Sequence, residues 1–144
     1  MRTRNRGPAR RAGGVANHRL RLVVRPGRFA VVRLSARAAL PRWALSRPFH
    51  SITRTATELS IVCRQGRVPA RVGREDGFRC LEVRGPFAFE SIGVLASLAA
   101  PLARARIPIL AISTFDTDYL FVREERLSDA LRSLERAGHS VRLG

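Results

Sequence analysis

The stretch GPFAFESIGVLASLAAPLARARIPILAISTFDTDYLFV, residues 85–122, decides the fold of this chain. Apolar residues recur at helical spacing over residues 92–104, which predicts a helix that packs one face on a sheet. Ser91 precedes this run and is the residue type expected at a helix N-cap. Pro101 lies inside the run, so we expect the last turn to kink or the helix to end early.

Two strands are predicted after this helix. Residues 107–112 are apolar on both faces, which is typical of a central strand covered on both sides. Residues 119–122 form the next strand, after a polar turn. A strand precedes the helix at residues 78–84, ended by Gly85-Pro86. A second helix and a last strand follow, with acids at the helix start (Glu124, Glu125), an apolar stripe (Leu127, Ala130, Leu131, Leu134), a terminating Gly138 and a strand over residues 140–143.

The resulting order is strand, helix, strand, strand, helix, strand. A split βαβ pair of this kind predicts an α+β, ferredoxin-like (βαββαβ) fold, with an antiparallel four-stranded sheet and both helices on one face. The other face of the sheet needs cover, and the first half of the chain or a second subunit are the simplest sources.

The first half of the chain reads as mainly β. The pattern predicts strands at 20–24, 29–34, 50–53 and 59–62, a turn at Pro26-Gly27, and single helical turns at 41–44 and 68–72.

The formal charge of +16 is unevenly distributed. All 27 basic residues are Arg, which indicates a compositional bias as well as guanidinium chemistry. Residues 1–28 hold nine of them and no acid, and residues 1–18 read as a disordered Arg-rich tail. An organellar targeting peptide, an arm that binds phosphates and an extension without function all remain open for this tail.

Most catalytic and metal-binding classes find no support in the sequence. His18, His50 and His139 are isolated from one another, and Cys63 and Cys80 have no metal-type spacing, so we expect no metal site, no cofactor and no enzyme. The two cysteines are expected to be small buried side chains of a reduced protein. No apolar run is long enough for a membrane span and no secretory signal is recognisable, which predicts a cytoplasmic protein.

Three stretches resemble a known family. FHSITRTATELSIVC (49–63), GPFAFESIGVLASLAAPL (85–102) and AISTFDTDYLFV (111–122) are similar to tandem ACT-domain proteins related to the cytosolic arginine sensor of animals. The resemblance implies two ACT-like units in tandem, a reduced unit over residues 19–76 and a complete ACT domain over residues 77–144. It also implies that a small ligand, usually an amino acid, binds between ACT units.

The residues themselves suit a zwitterion. The loop over residues 89–94 enters a helix N-terminus, whose free N–H groups favour a carboxylate, and Gly93 allows close backbone approach. Ser113, Thr114 and Asp118 offer oxygen acceptors for an ammonium group, and Phe115 offers an apolar lid. The alternative from the residues alone is a polar turn between two strands.

The resemblance assigns individual residues within this region. Thr114, Phe115 and Asp118 match the strand-turn part of the sensor's site, and Val94 and Leu95 match its apolar pair after the glycine. The sensors carry a second acid where this chain has Ser91, which puts arginine itself in doubt as the ligand. The predicted ligand-binding set is Glu90, Ser91, Gly93, Val94, Leu95, Ser113, Thr114, Phe115 and Asp118.

The sequence therefore predicts a regulatory module that binds a free amino acid and has no catalytic activity. A homodimer and a regulated protein partner are both compatible with this function, and no membrane partner is expected. The alternative is a basic ferredoxin-like protein that binds nucleic acid through its Arg-rich tail, although neither strand 29–34 nor strand 119–122 carries the aromatic motif of RNA-binding sheets.

Overall fold

The computed structural model describes residues 18–144, and the predicted tail lies almost entirely outside them. The described chain forms eight strands, two α-helices and three single-turn 3-10 helices. The strands are β1 (Arg21–Val24), β2 (Phe29–Leu34), β3 (Ser51–Arg54), β4 (Leu59–Arg64), β5 (Glu75–Val83), β6 (Leu110–Ser113), β7 (Asp118–Arg123) and β8 (Ser140–Leu143). The helices are α1 (Val94–Arg104) and α2 (Leu127–Arg136), and the 3-10 turns span Arg42–Ala44, Gln65–Arg67 and Glu124–Arg126.

All eight strands belong to one sheet with β5 at its centre. On one edge of β5 lies β7, followed by β6. The other edge of this long strand has two partners, since β2 pairs with its beginning and β1 with its end. The sheet continues from β2 to β4 and β3, and from β1 to β8.

Strands β1 and β2 form one bent run along β5. Both are antiparallel to β5, so the chain keeps its direction between them. At Pro26-Gly27, where a turn was predicted, the chain bends without reversing its direction. Gly27 adopts a φ of 87° at this bend, which glycine tolerates without steric cost.

The predicted α+β, ferredoxin-like ACT fold is confirmed, with one change in the sheet. Elements β5, α1, β6, β7, α2 and β8 follow the expected order. However, β1 lies between β5 and β8, where Leu22 pairs with Val83 on one side and Val141 on the other. The prediction of a four-stranded, wholly antiparallel sheet was therefore wrong, because β1 is inserted into it and runs parallel to β8. The division at residues 76 and 77 stays a prediction.

Both helices cover one face of the sheet, as predicted. Residues of alternating positions on β5 and β7 point toward them, including Leu81, Leu120 and Val122, which are buried against Leu98 and Leu134. This alternation is the period-two pattern of a strand with different environments on its two faces.

The first half of the chain covers the other face, one of the two sources expected. The ring of Phe49 lies 4.8 Å from that of Tyr119 and 5.5 Å from that of Phe121, centroid to centroid. Phe29 also packs edge-on against Phe121. Residues 18–76 contain no α-helix, which fits a reduced unit, and the helical turn predicted at residues 68–72 is replaced by a turn closed from Val72 N to Pro69 O.

Helix α1 begins two residues later than predicted. Gly93, not Ser91, is the N-cap, and its φ of 83° lies in the left-handed region that favours glycine. Ile92, expected on the buried stripe, is 81% exposed.

Pro101 does not end α1, which continues to Arg104. A proline at this position has no N–H to donate to the carbonyl four residues earlier, at Ser97. His139 supplies that donor, because its Nε2 lies 3.0 Å from Ser97 O while its Nδ1 accepts from Leu20 N at 3.2 Å. The neighbouring loop thus replaces the bond that proline removes.

The strand predicted at residues 107–112 exists in part, over residues 110–112, but its predicted start and its predicted central position are wrong. Strand β6 starts at Leu110 and, within residues 18–144, is an edge strand that pairs with β7 alone. Its side chains are half-buried or exposed, because none of the described strands lies beyond it.

Cys63 and Cys80 are both buried and free, as expected of small core side chains. None of the helices within residues 18–144 is both long and apolar enough to cross a membrane.

Candidate ligand-binding site

A cavity of about 360 Å³ lies where the loop after β5 meets the turn between β6 and β7. We call it the acidic cavity. One wall is the loop and the first turn of α1, and the other is the β6–β7 turn. Its lining residues are Phe87, Ala88, Phe89, Ser91, Gly93, Val94, Leu95, Ala96, Ser113, Thr114, Phe115, Asp116, Thr117 and Asp118.

The structure brings eight of the nine predicted ligand-binding residues to this one cavity. They are Ser91, Gly93, Val94, Leu95, Ser113, Thr114, Phe115 and Asp118. Glu90 is the exception, because it lies in an exposed turn and does not line the cavity. That these residues contact a ligand stays a prediction.

Hydrogen bonds from the backbone and from one threonine side chain hold the two walls together. Phe87 N donates to Asp116 O at 2.9 Å, which ties the loop after β5 to the β6–β7 turn. Thr117 Oγ1 donates to Val83 O at 2.7 Å, and the turn is closed from Thr114 N to Thr117 O at 2.8 Å. The cavity is therefore framed before any ligand enters it.

The first wall presents backbone N–H groups that have no hydrogen-bond acceptor within residues 18–144. Helix α1 has no side-chain cap, and its first intrahelical bond joins Ser97 N to Gly93 O. The backbone N–H groups of Val94, Leu95 and Ala96 precede that bond and belong to residues that line the cavity. Such a helix end carries a partial positive charge and binds carboxylates and other anions.

The opposite wall presents carboxylates. Ser113 Oγ donates to Asp118 Oδ1, which fixes the orientation of that carboxylate beside the cavity. Six of the 11 acids of the chain form ion pairs with arginines in the described part, and neither Asp116 nor Asp118 is among them. None of the lining residues is an arginine, although the chain has 27.

Two exposed aromatic rings meet at the cavity. Phe89 on one wall and Phe115 on the other are 76% and 80% exposed, with ring centroids 5.7 Å apart. Sequence reasoning assigned only Phe115. It also missed six other lining residues, all of which lie within the two stretches, 85–102 and 111–122, that carry the family resemblance: Phe87, Ala88, Phe89, Ala96, Asp116 and Thr117.

No group of three or more His, Cys, Asp or Glu side chains in residues 18–144 is arranged to hold a metal ion. The histidines have structural contacts. His139 bridges Ser97 in α1 and Leu20, the residue before β1. His18 Nε2 lies 2.7 Å from Ile92 O, and His50 Nδ1 lies 2.9 Å from Ser46 O.

Comparison with known proteins places the chain in a family. A family model described as an ACT domain matches residues 73–136, and a second, described as an N-terminal domain, matches residues 27–71. The X-ray structure of protein Atu0741 from Agrobacterium tumefaciens has a TM-score of 0.84 and 42% identity, over 88% of this chain and 95% of that one.

More distant solved structures share the fold. VC0802 from Vibrio cholerae, described as a protein of unknown function and possible transport protein, has a TM-score of 0.65 and 21% identity, over 83% of this chain and 90% of that one. The regulatory subunit of aspartate kinase from Thermus flavus has a TM-score of 0.55 and 13% identity, over 81% and 95%. The chain therefore belongs to the family of Atu0741 and contains an ACT domain, a type of small-molecule regulatory module, within it.

Proposed function

We propose that this protein binds a free amino acid in the acidic cavity and acts as a regulatory module without catalysis of its own. The observation that carries the proposal is that unpaired N–H groups at the start of α1 and the carboxylate of Asp118 line the same cavity. A zwitterion needs both kinds of group, donors for its carboxylate and an acceptor for its ammonium group.

The ligand's carboxylate would lie at the N–H groups of Val94, Leu95 and Ala96. Its ammonium group would lie at Asp118, which Ser113 already orients. Phe89 and Phe115 would then cover the side chain of the ligand. The cavity volume of about 360 Å³ falls in the range of small-molecule sites, ~300–1,000 Å³.

The regulatory character of the ACT domain and the fold shared with a regulatory subunit of aspartate kinase support this proposal. The specific relationship to the animal arginine sensor and the cytoplasmic location stay predictions. A homodimer or a regulated partner protein would receive the signal of ligand occupancy.

A thermal-shift screen against the twenty amino acids tests the function. A ligand at 100 times its Kd stabilises the native state by about 2.7 kcal/mol, which raises the Tm of a chain of this size by roughly 5–10 °C. For each hit, the analogue without the amine and the analogue without the carboxylate serve as controls.

We expect at least one amino acid to raise the Tm and both of its analogues to fail, because each analogue leaves one wall of the cavity unpaired. No shift with any amino acid at millimolar concentration would contradict the proposed function. A shift that the deaminated analogue reproduces would remove Asp118 from the interaction.

A further inference from the structure

A second cavity lies at the other end of β7, away from the acidic cavity. It has a volume of about 610 Å³ and is lined by Gly27, Arg28, Arg64, Gln65, Gly66, Arg67, Arg79 and Glu124. We call it the arginine cavity. The two cavities are separated by the length of β7, six residues or roughly 20 Å.

Arginine is more frequent among the residues that line this cavity than in the chain as a whole. It supplies four of the eight lining residues, against 27 of 144 in the chain and none of the 14 at the acidic cavity. Only one acid, Glu124, is present, which leaves a formal charge of +3 at the cavity. A surface cavity with this excess of positive charge attracts anions.

Glu124 orders two of the four arginines. Its Oε2 accepts from Arg28 Nε at 2.6 Å, and its Oε1 lies 3.5 Å from Arg79 Nη1. The hydrogen bond from Arg28 lowers the pKa of Glu124, so this carboxylate stays ionised and continues to hold both guanidinium groups. The Nε of Arg79 is buried and has no hydrogen-bond acceptor in the described part of the chain.

Arg64 and Arg67 have no carboxylate partner among residues 18–144. The guanidinium of Arg64 lies 5.4 Å from the centroid of the Phe29 ring and fills the space beside Gly27. A Cβ at Gly27 would lie 1.5 Å from Arg64 Nη1, so glycine is required for Arg64 to occupy this place. Two arginines without carboxylate partners therefore line the same cavity as the ordered pair.

Gln65 adds a neutral donor. Its Oε1 accepts from Gly77 N at 2.8 Å, which leaves the side-chain NH₂ group as the remaining donor of this amide. The cavity thus offers guanidinium and amide N–H groups, and the side-chain oxygens of Gln65 and Glu124 are already engaged by Gly77 N and by Arg28 and Arg79. This donor set suits phosphate oxygens, because arginine binds them with paired N–H groups.

The arginine cavity continues into a partly apolar one. The adjoining cavity shares Gly66 and Arg67 and adds Trp43, Leu45, Ser46 and two further arginines, Arg42 and Arg47. Leu45 is exposed and Trp43 is half-buried, so an aromatic ring is available next to the cluster of arginines. A ligand with phosphate groups at one end and a flat ring at the other would match the arginine cavity and the adjoining cavity with Trp43.

We propose that the arginine cavity binds the phosphate groups of a small ligand with two or more phosphates, such as a nucleoside triphosphate. Several phosphates are favoured over one because the cavity charge of +3 exceeds that of a single phosphate group. The site is separate from the amino-acid site, so either proposal can fail while the other stands.

Titration calorimetry on the full chain tests this, with ATP, tripolyphosphate and a 12-nucleotide single strand as probes. The cavity variant is Arg64→Gln/Arg67→Gln. Its matched control is Arg104→Gln/Arg136→Gln, which removes the same charge from exposed helix positions without recorded ion pairs. Arg67→Gln alone is included because Arg67 is exposed and has no recorded hydrogen bond, so its loss leaves the fold unchanged.

We expect ATP and tripolyphosphate to bind the control variant as they bind the original protein, and the cavity variant at least about 10-fold more weakly. Arg67→Gln alone should give a smaller loss at an unchanged Tm. Equal weakening in the cavity variant and the control would overturn the proposal, since the binding would then be general attraction to the charge of the chain. Dependence on Arg64 and Arg67 for the oligonucleotide alone would also overturn it, in favour of nucleic acid.

Discussion

Replacement of Asp118 by Asn tests the chemistry of the acidic cavity most directly. The change keeps the shape of the side chain and removes its charge. Ser113 Oγ can still donate to the amide oxygen, but this hydrogen bond becomes one between neutral groups. A hydrogen bond to a charged group contributes about 1.5–3 kcal/mol and a neutral one about 0.5–1.5, so we expect the unliganded protein to lose about 1 kcal/mol.

Ligand binding should lose more. The ammonium group of the ligand would lose its charged partner, which weakens affinity roughly 10- to 150-fold. At a concentration of about 100 times the original Kd, the stabilisation by ligand would fall from about 2.7 kcal/mol to between about 1.4 and 0.3 kcal/mol. Thermal shifts with and without ligand measure both quantities in one experiment.

Two other acids provide the controls. Asp116 is more exposed than Asp118 and lines the cavity without a recorded side-chain hydrogen bond, so Asp116→Asn should weaken binding less. Glu125 is remote and exposed, so Glu125→Gln should leave binding unchanged. Equal losses at all three positions would mean a general electrostatic effect. A loss of several kcal/mol from the unliganded Asp118→Asn protein would mean that Asp118 is structural, and either result refutes the reasoning.

Two further predictions concern the core. His139→Leu should lower the free energy of unfolding by about 2–6 kcal/mol in urea denaturation, because Ser97 O and Leu20 N both lose their partner. In a Pro101→Ala background the loss should shrink by about 1–3 kcal/mol, since residue 101 regains an N–H for Ser97 O, and an unchanged loss would contradict this account. Burial raises the pKa of the Cys80 thiol to about 12. A disulfide reagent at pH 8 should therefore react with Cys80 about 10³-fold more slowly in the native than in the unfolded protein, and equal rates would show that the thiol is accessible.

The elements that sequence analysis predicted best are those whose pattern repeats within the element itself. Helix α2 has the predicted apolar stripe and is followed by the predicted Gly138, whose φ is 95°. The predicted acids Glu124 and Glu125 lie in the single 3-10 turn that leads into α2 rather than in α2 itself. Strand β7, Asp118–Arg123, contains the strand predicted at residues 119–122 and extends it by one residue at each end. In such cases neighbouring residues supply most of the information that determines the element.

Sequence analysis failed where a distant residue changes the outcome. Pro101 obeys the local rule that proline removes a hydrogen bond, yet α1 continues because His139, 38 positions later, replaces the donor. Strand β1 lies between β5 and β8, and because several strands have similar apolar patterns, its own sequence does not determine which of them it pairs with. Neither the continuation of α1 past Pro101 nor the position of β1 in the sheet can be predicted from the residues adjacent to it in the sequence.

The candidate site was predicted by residue type and family resemblance rather than by geometry. Chemistry alone left the segment around Asp118 open as a polar turn, and it does form one, with Thr114 N bonded to Thr117 O. The structure shows that a turn and a cavity wall are compatible. Phe89 was not assigned because its pairing with Phe115 joins two loops, which no spacing along the chain reveals.

The net charge of +16 is a poor guide to what each surface of this protein binds. The acidic cavity has Asp116 and Asp118 and no arginine, whereas the arginine cavity has four arginines and one acid. The Debye length at physiological salt is about 8 Å, well below the roughly 20 Å that β7 places between the two cavities, so each ligand responds mainly to the charges nearby. A polyphosphate would be repelled by the carboxylates of the first cavity, and an ammonium group by the guanidinium groups of the second. Because the two charge patterns oppose each other, the two proposals together predict that a zwitterion and a phosphorylated ligand bind the same chain without competing for one site.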